Sequence, residues 1–231
     1  MPMLETVGWI ALAIAFACTI ILVFDLIHHP QPMVIMNIVW PVTSLYWSIL
    51  GLIFYFRAGR ASHHAAIRHK STDAEREAGA QRITWKQAAI GTSHCGAGCA
   101  LADILVEFTL FAFGVRLFGS ELWASFFWDF CAAWALGIVF QYFSIQPMRH
   151  LSFAGGVKAA IKADTLSILA FQVGMYLWMA VVYFLLFPAP HLHPDSAAYW
   201  FMMQVGMALG FLTSLPMNRL LLRLGWKESM G

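Results

Sequence analysis

Residues 6–27 read TVGWIALAIAFACTIILVFDLI, with a single charged side chain, Asp25, near the end of the run. About 20 apolar residues in helical form cross roughly 30 Å of hydrocarbon, so this stretch is a membrane span. The few residues before it hold no Lys or Arg and do hold Glu5, unlike the basic start of a secretory signal peptide. The run is therefore expected to be retained.

Composition points the same way. Of 231 residues 60% are hydrophobic and 11% charged, against about 25% charged in a soluble domain. Outward from the first run, five more segments qualify as spans: residues 33–56, 88–115, 122–145, 165–187 and 197–218. Pro30 and Pro32 break the chain between the first two. Gly119 and Ser120 mark a tight connection, and Pro188 to Asp195 a longer one. Pro41 and Pro216 are expected to kink their helices, a defect that neighbouring helices compensate. The fold class is all-α: one polytopic bundle over residues 1–231 with six transmembrane helices.

Direction is read from Lys and Arg. Seven of the fourteen fall between Arg57 and Lys86; Arg149, Lys158 and Lys162 lie in a later loop, and Arg219, Arg223 and Lys227 near the C-terminus. With six crossings all of these share one face and only Arg116 is left on the other. That face is the cytoplasmic one, which also places both termini in the cytoplasm, and the expected location is a cell membrane, the inner membrane of a bacterium. Residues 57–86 form a basic cytoplasmic loop with His63, His64 and His69 among its cations. Such a segment rests on anionic headgroups of the bilayer; metal sensing by the histidines is the alternative. The four cysteines all lie in apolar runs and do not form a disulfide framework. There is no internal repeat and no Gly-rich phosphate loop beside a strand pattern, so neither a nucleotide enzyme nor a nucleic-acid partner is expected.

One span breaks the apolar rule. Residues 91–107 read GTSHCGAGCALADILVE, in which Cys95, Cys99, Asp103 and Glu107 follow at four-residue steps and form a slowly turning stripe. Each step rises about 6 Å, so the stripe covers about 18 Å, more than half the hydrocarbon. An ionisable group in the membrane costs about 2.5 to 17 kcal/mol and nearly always faces a bundle interior or a watery cavity. Two carboxyls in one turn point to ion or proton handling, with hydrogen bonding between helices as the plainer alternative. Cys95 and Cys99, one turn apart and preceded by His94, offer two thiolates and an imidazole, a soft set suited to Cu(I) or Zn(II). Gly96, Ala97 and Gly98 leave no bulk against a metal, though small residues also serve ordinary helix packing. His94 lies about 100° around the helix from Cys95, so a shared site needs a distorted helix or a second segment. Cys18 reads as a small apolar residue.

The short third connection makes helices three and four antiparallel neighbours. Counting from that turn, Glu107 lies at the depth of Asp129 and Cys131, and Cys99 at the depth of Gln141. Met175, Met179, Met202, Met203 and Met207 offer thioethers, which favour Cu(I), though gap-filling in apolar spans is the plainer reading for each. His28, His29, Met33, His191 and His193 would form an external capture site if helices one, two, five and six meet; polar turns are the simpler reading.

The stretch from Ser93 to Cys99 with its Asp103 and Glu107 continuation resembles a bacterial family of integral membrane proteins described only as a domain of unknown function. Residues 140–148, FQYFSIQPM, and Lys162-Ala163-Asp164-Thr165 are similar to it too. The resemblance covers roughly helices three to six; it implies that the signature is a family feature and brings no mechanism. The residues themselves lead to transition-metal binding or transport, copper first and zinc second, with His94, Cys95, Cys99, Asp103, Glu107 and Asp129 as the metal-handling set and a metal-handling protein as partner. Thiol redox chemistry at Cys95 and Cys99 and a non-catalytic membrane subunit are the competing readings.

Overall fold

The computed structural model describes residues 2–60, 83–149 and 152–227, with the backbone alone over 146–149. Most of the basic loop, including His63, His64 and His69, lies outside the described residues. The helices are α1 (Pro2–His28), α2 (Met36–Phe54, prolonged by a π-helical turn, Tyr55–Gly59), α3 (Trp85–Phe113), α4 (Glu121–Arg149), α5 (Phe153–Val181, prolonged by a π-helical turn, Val182–Leu186) and α6 (Ala197–Arg223). All six are long and apolar enough to span a membrane. Among the described residues there is no strand, and the all-α bundle stands as expected.

The helix ends follow from local chemistry. Thr84 and Gln87 close a capping box at the start of α3, and Ser152 and Ser196 cap α5 and α6 through their hydroxyls. Gly114, at φ +61°, ends α3 in the left-handed conformation that glycine adopts without strain. The cap at Ser152 starts α5 twelve residues earlier than the apolar run implied, which carries Asp164 inside the bundle. On α1, Ala15, Cys18, Leu22 and Leu26 face inward while Ile10, Phe16, Ile20 and Phe24 are exposed as a lipid-facing side would be. Cys18 is a packing residue, as read. α3 is buried almost without interruption from Ala88 to Ala100. Its glycines and alanines let neighbours come close, in the manner of membrane helix pairs: a Cβ on Gly98 would stand 3.5 Å from the Cα of Gly137 on α4.

α2 departs from a simple span. Ser48 has φ 47° and ψ −124°, and the helix reverses there. A Cβ on Gly51 would lie 3.2 Å from the Cα of Ser44, whereas seven residues of straight helix separate two atoms by about 10 Å. The Trp40 ring packs at 5.4 Å from both Phe54 and Tyr55, and against Gly59. α2 is thus a hairpin of two limbs, residues 36–47 and 49–59, each long enough for about half the membrane. The break falls at Ser48 and not at Pro41, whose own carbonyl accepts from Ser44 Oγ at 2.8 Å and Thr19 Oγ1 at 3.3 Å. At the open end of the hairpin Asp25 accepts from Tyr55 Oη at 2.7 Å and from Arg60 Nη2 and Nε at 2.8 and 3.1 Å, which clasps the returning limb to the end of α1.

The hairpin changes the direction of everything before it. α3 to α6 cross in alternation, while α1 runs parallel to α6: Glu5 accepts from the N–H groups of Ala197 and Ala198 at 2.9 and 3.1 Å. Pro2 and Lys227 therefore lie at opposite ends of the bundle, which corrects the expectation that both termini share one face. Arg57, Arg60, Lys86, Lys158, Lys162, Arg219 and Arg223 still gather at one end, the basic end, with Arg116 at the other, because α2 enters and leaves on the same side. His28 and His29 are at the basic end and His191 and His193 at the opposite one, so the proposed meeting of these histidines does not occur.

Candidate functional site

The α3 stripe faces the centre of the bundle, and each of its members is at least 95% buried. Cys95 and Cys99 lie side by side, both as free thiols. The tip of the α2 hairpin meets them at half depth, where a Cβ on Gly96 would come within 2.6 Å of Tyr46 Oη and 2.9 Å of Phe171 Cε2. Only a glycine admits the tyrosine so close to the helix backbone.

His94 turns elsewhere. Its ring stands 6.0 Å from that of Phe140 and both ring nitrogens are buried without a partner. α3 is unbroken through this region, so the 100° offset from Cys95 persists. Among the described residues no three His, Cys, Asp or Glu side chains converge as a metal site.

Farther along the stripe the carboxyls gather. Asp103 sits beside Glu107 of the next turn and Gln172 of α5, yet neither Asp103 oxygen and neither Gln172 amide atom has a hydrogen-bond partner. Glu107 faces Asp129 and Ser125 of α4 and Tyr199 of α6. The depth count from the α3–α4 turn is met at Asp129. It is not met at Gln141, since Gly137 lies level with Gly98 and Phe140 level with His94. Three carboxyls inside apolar helices demand neutralisation, by protons or by a cation.

A cavity of about 60 Å³, room for a few waters, opens beside the cluster and is lined by Glu107, Asp129, Met175, Met179, Tyr199 and Met203. At its rim, away from the basic end, stand Glu121 and His193, with Glu121 bridged to Arg116 at 2.7 Å and 3.5 Å from the His193 ring. Toward the basic end lie Asp164 of α5, with Oδ2 against Gly137, and Asn218 of α6.

A family model described as a domain of unknown function (DUF4396) matches residues 84–227. The chain belongs to this family. The DUF4396 domain begins at the cap of α3 and takes in the whole stripe, its partners on α4 to α6, and Lys227; α1 and the hairpin lie outside it. No curated protein and no solved structure matches the chain.

Of the six residues expected to handle a metal, five lie along one buried line in two groups, the thiol pair and the acid cluster, and His94 lies off it. Tyr46, Asp164, Gln172, Tyr199, Asn218 and Lys227 were not foreseen. The costly carboxyl of Asp164 at the mouth of an apolar run was the available signal.

Proposed function

We propose that this protein carries a cation through the membrane along the α3 stripe, a transition-metal ion with copper first and zinc second as cargo. One observation carries the reading: Asp103, Glu107 and Asp129 lie together inside membrane-length helices, and among the described residues no Lys, Arg or His is paired with any of them. Such a cluster attracts a positive charge and has a cavity beside it, large enough for a few waters, to admit one. Soft donors favour a soft ion: the Met175, Met179 and Met203 thioethers line the cavity and the Cys95 and Cys99 thiols lie deeper. Protons exchanging at the same carboxyls would couple the ion to a proton flow. By the positive-inside rule the basic end faces the cytoplasm and the Glu121 rim faces out, in a cell membrane where a soluble metal-handling partner would receive or supply the ion.

The test is flux into vesicles containing the purified protein, with Cu(I) under reducing conditions and with Zn(II). Uptake above that of empty vesicles is expected for one of the two, with Cys95→Ser and Cys99→Ser reducing it. No uptake of either ion sinks the proposal. A second reading has its own support, since side-by-side thiols one turn apart are within the distance range of a disulfide: Cys95 and Cys99 would cycle between dithiol and disulfide. Alkylation followed by mass spectrometry under oxidant separates the two, as this reading requires a reversible disulfide and transport does not.

A further inference from the structure

The basic end of the stripe is closed by a residue that charge counting places among the surface cations. Gly225, at φ +65°, ends α6 and turns the chain back, so that the N–H groups of Trp226 and Lys227 return to the Leu221 carbonyl at 3.0 and 3.3 Å. The Lys227 side chain then runs inward. Its Nζ donates to Asp164 Oδ1 at 2.6 Å and lies 3.5 Å from Ser167 Oγ, and neither the Lys227 nor the Asp164 side chain is exposed. Its Cε is 3.9 Å from the place of a Cβ on Gly91. Gly91 precedes Cys95 by four residues, so the lysine stem lies one turn before the stripe, on its basic side.

A terminal lysine at a membrane surface ordinarily extends its ammonium to the headgroups. Lys227 does the reverse, and the place it fills holds more acceptors than it uses. Asp164 Oδ2 and Asn218 Oδ1 are buried without partners, and Asn218 Nδ2 is held by Ser214, which leaves its oxygen free. Spare oxygen acceptors around a buried ammonium describe a cation site with an occupant.

We propose that Asp164, Ser167 and Asn218 form a second cation site, at the basic end of the stripe, and that the Lys227 ammonium is its tethered occupant, which a travelling cation must displace. The inference rests on the reading of the stripe as a cation path. For a monovalent cation the exchange balances in charge: one positive charge arrives at Asp164 as one leaves, and the freed ammonium moves to the headgroup level. The ligand class is a small cation that takes oxygen donors, a primary ammonium or a metal ion.

The experiment measures the rate at which a small charged thiol reagent, added on the side of the C-terminus, labels Cys95 in the full chain in vesicles, with Cys18 as internal reference. Lys227→Met should raise Cys95 labelling about tenfold or more, because breaking a buried ion pair strongly favours the opened state, while Cys18 stays as slow as in the wild type. Millimolar methylammonium should restore slow labelling in Lys227→Met and do nothing in Lys227→Met/Asp164→Asn, which lacks the carboxylate. Wild-type labelling in Lys227→Met overturns the proposal. So does methylammonium acting on both variants alike or on neither, and so does Cys18 labelling that rises in step with Cys95. Since no metal is used, a chain that transports neither copper nor zinc but shows the expected labelling would lose the transport reading and keep the site.

Discussion

α2 and α3 meet at half depth and bring polarity there by opposite means. α3 keeps an unbroken backbone and carries thiols and carboxyls on its side chains. α2 has no charged residue between Met36 and Phe54 and opens its backbone at Ser48. Every residue owns an N–H and a C=O, so backbone polarity is invisible to composition until the helix breaks. At the α2 tip those groups seek partners in the bundle, and the Leu45 carbonyl accepts from Gln204 Nε2 of α6 at 2.6 Å. Broken helices at membrane depth occur where protein or a cavity surrounds them, and the α2 tip lies against the cysteine pair.

The comparison is broken most decisively by topology. With α2 doubled back, a reporter active only outside the cytoplasm should give opposite results when fused before Pro2 and after Gly231, and the Pro188 to Asp195 loop should agree with the N-terminus. The effect is all or none. Matching results at the two termini would make α2 a straight crossing.

How far each helix was legible follows from the same difference. Hydropathy found six helices, and spacing found the stripe and its neighbour Asp129, because both are properties of side chains in order. Hydropathy counts apolar residues and says nothing about whether the chain continues or returns, so residues 33–56 passed for a span; Ser48 and Gly51 were the faint signals. Lys227 was misplaced for a related reason. Charge counting assumes that a cation near a helix end is solvated, and only the turn at Gly225 and the buried Asp164 reverse that.

Side-chain polarity on α3 sets the next expectation. Asp103→Asn/Glu107→Gln removes negative charge while keeping shape and hydrogen-bonding capacity. Metal flux in vesicles should fall about tenfold or more, while thermal unfolding in detergent stays level or rises, because replacing buried charge is often stabilising. Full flux in a stable double variant would reduce the stripe to interhelical hydrogen bonding.

The contact between the two helices is expected to couple them by a smaller amount. Gly96→Ala places a Cβ against Tyr46 Oη and the Phe171 ring and should cost about 1–3 kcal/mol through overpacking. Tyr46→Phe removes the hydroxyl and should recover part of that loss, so the two substitutions are non-additive, as contacting residues are. Strictly additive losses in unfolding measurements would mean that the tip does not rest on α3.

The smallest effect has the most informative sign. Ser48, at φ 47° and ψ −124°, has the backbone of the first central position of a type II′ turn, which belongs to glycine. In a straight helix, serine to glycine lowers stability by several tenths of a kcal/mol, and valine is about as well tolerated as serine. In a hairpin the order reverses. Ser48→Gly removes a steric strain of about 1–2 kcal/mol, offset by about 0.5–1 kcal/mol of glycine's extra unfolded-state freedom, which leaves a net gain of at most about 1 kcal/mol. Ser48→Val forces a β-branched residue into positive φ and should cost about 1–3 kcal/mol. Thermal unfolding of the two variants beside the wild type therefore reports the shape of α2: glycine at or above wild type with valine well below it fits the hairpin, and glycine below valine fits a continuous helix.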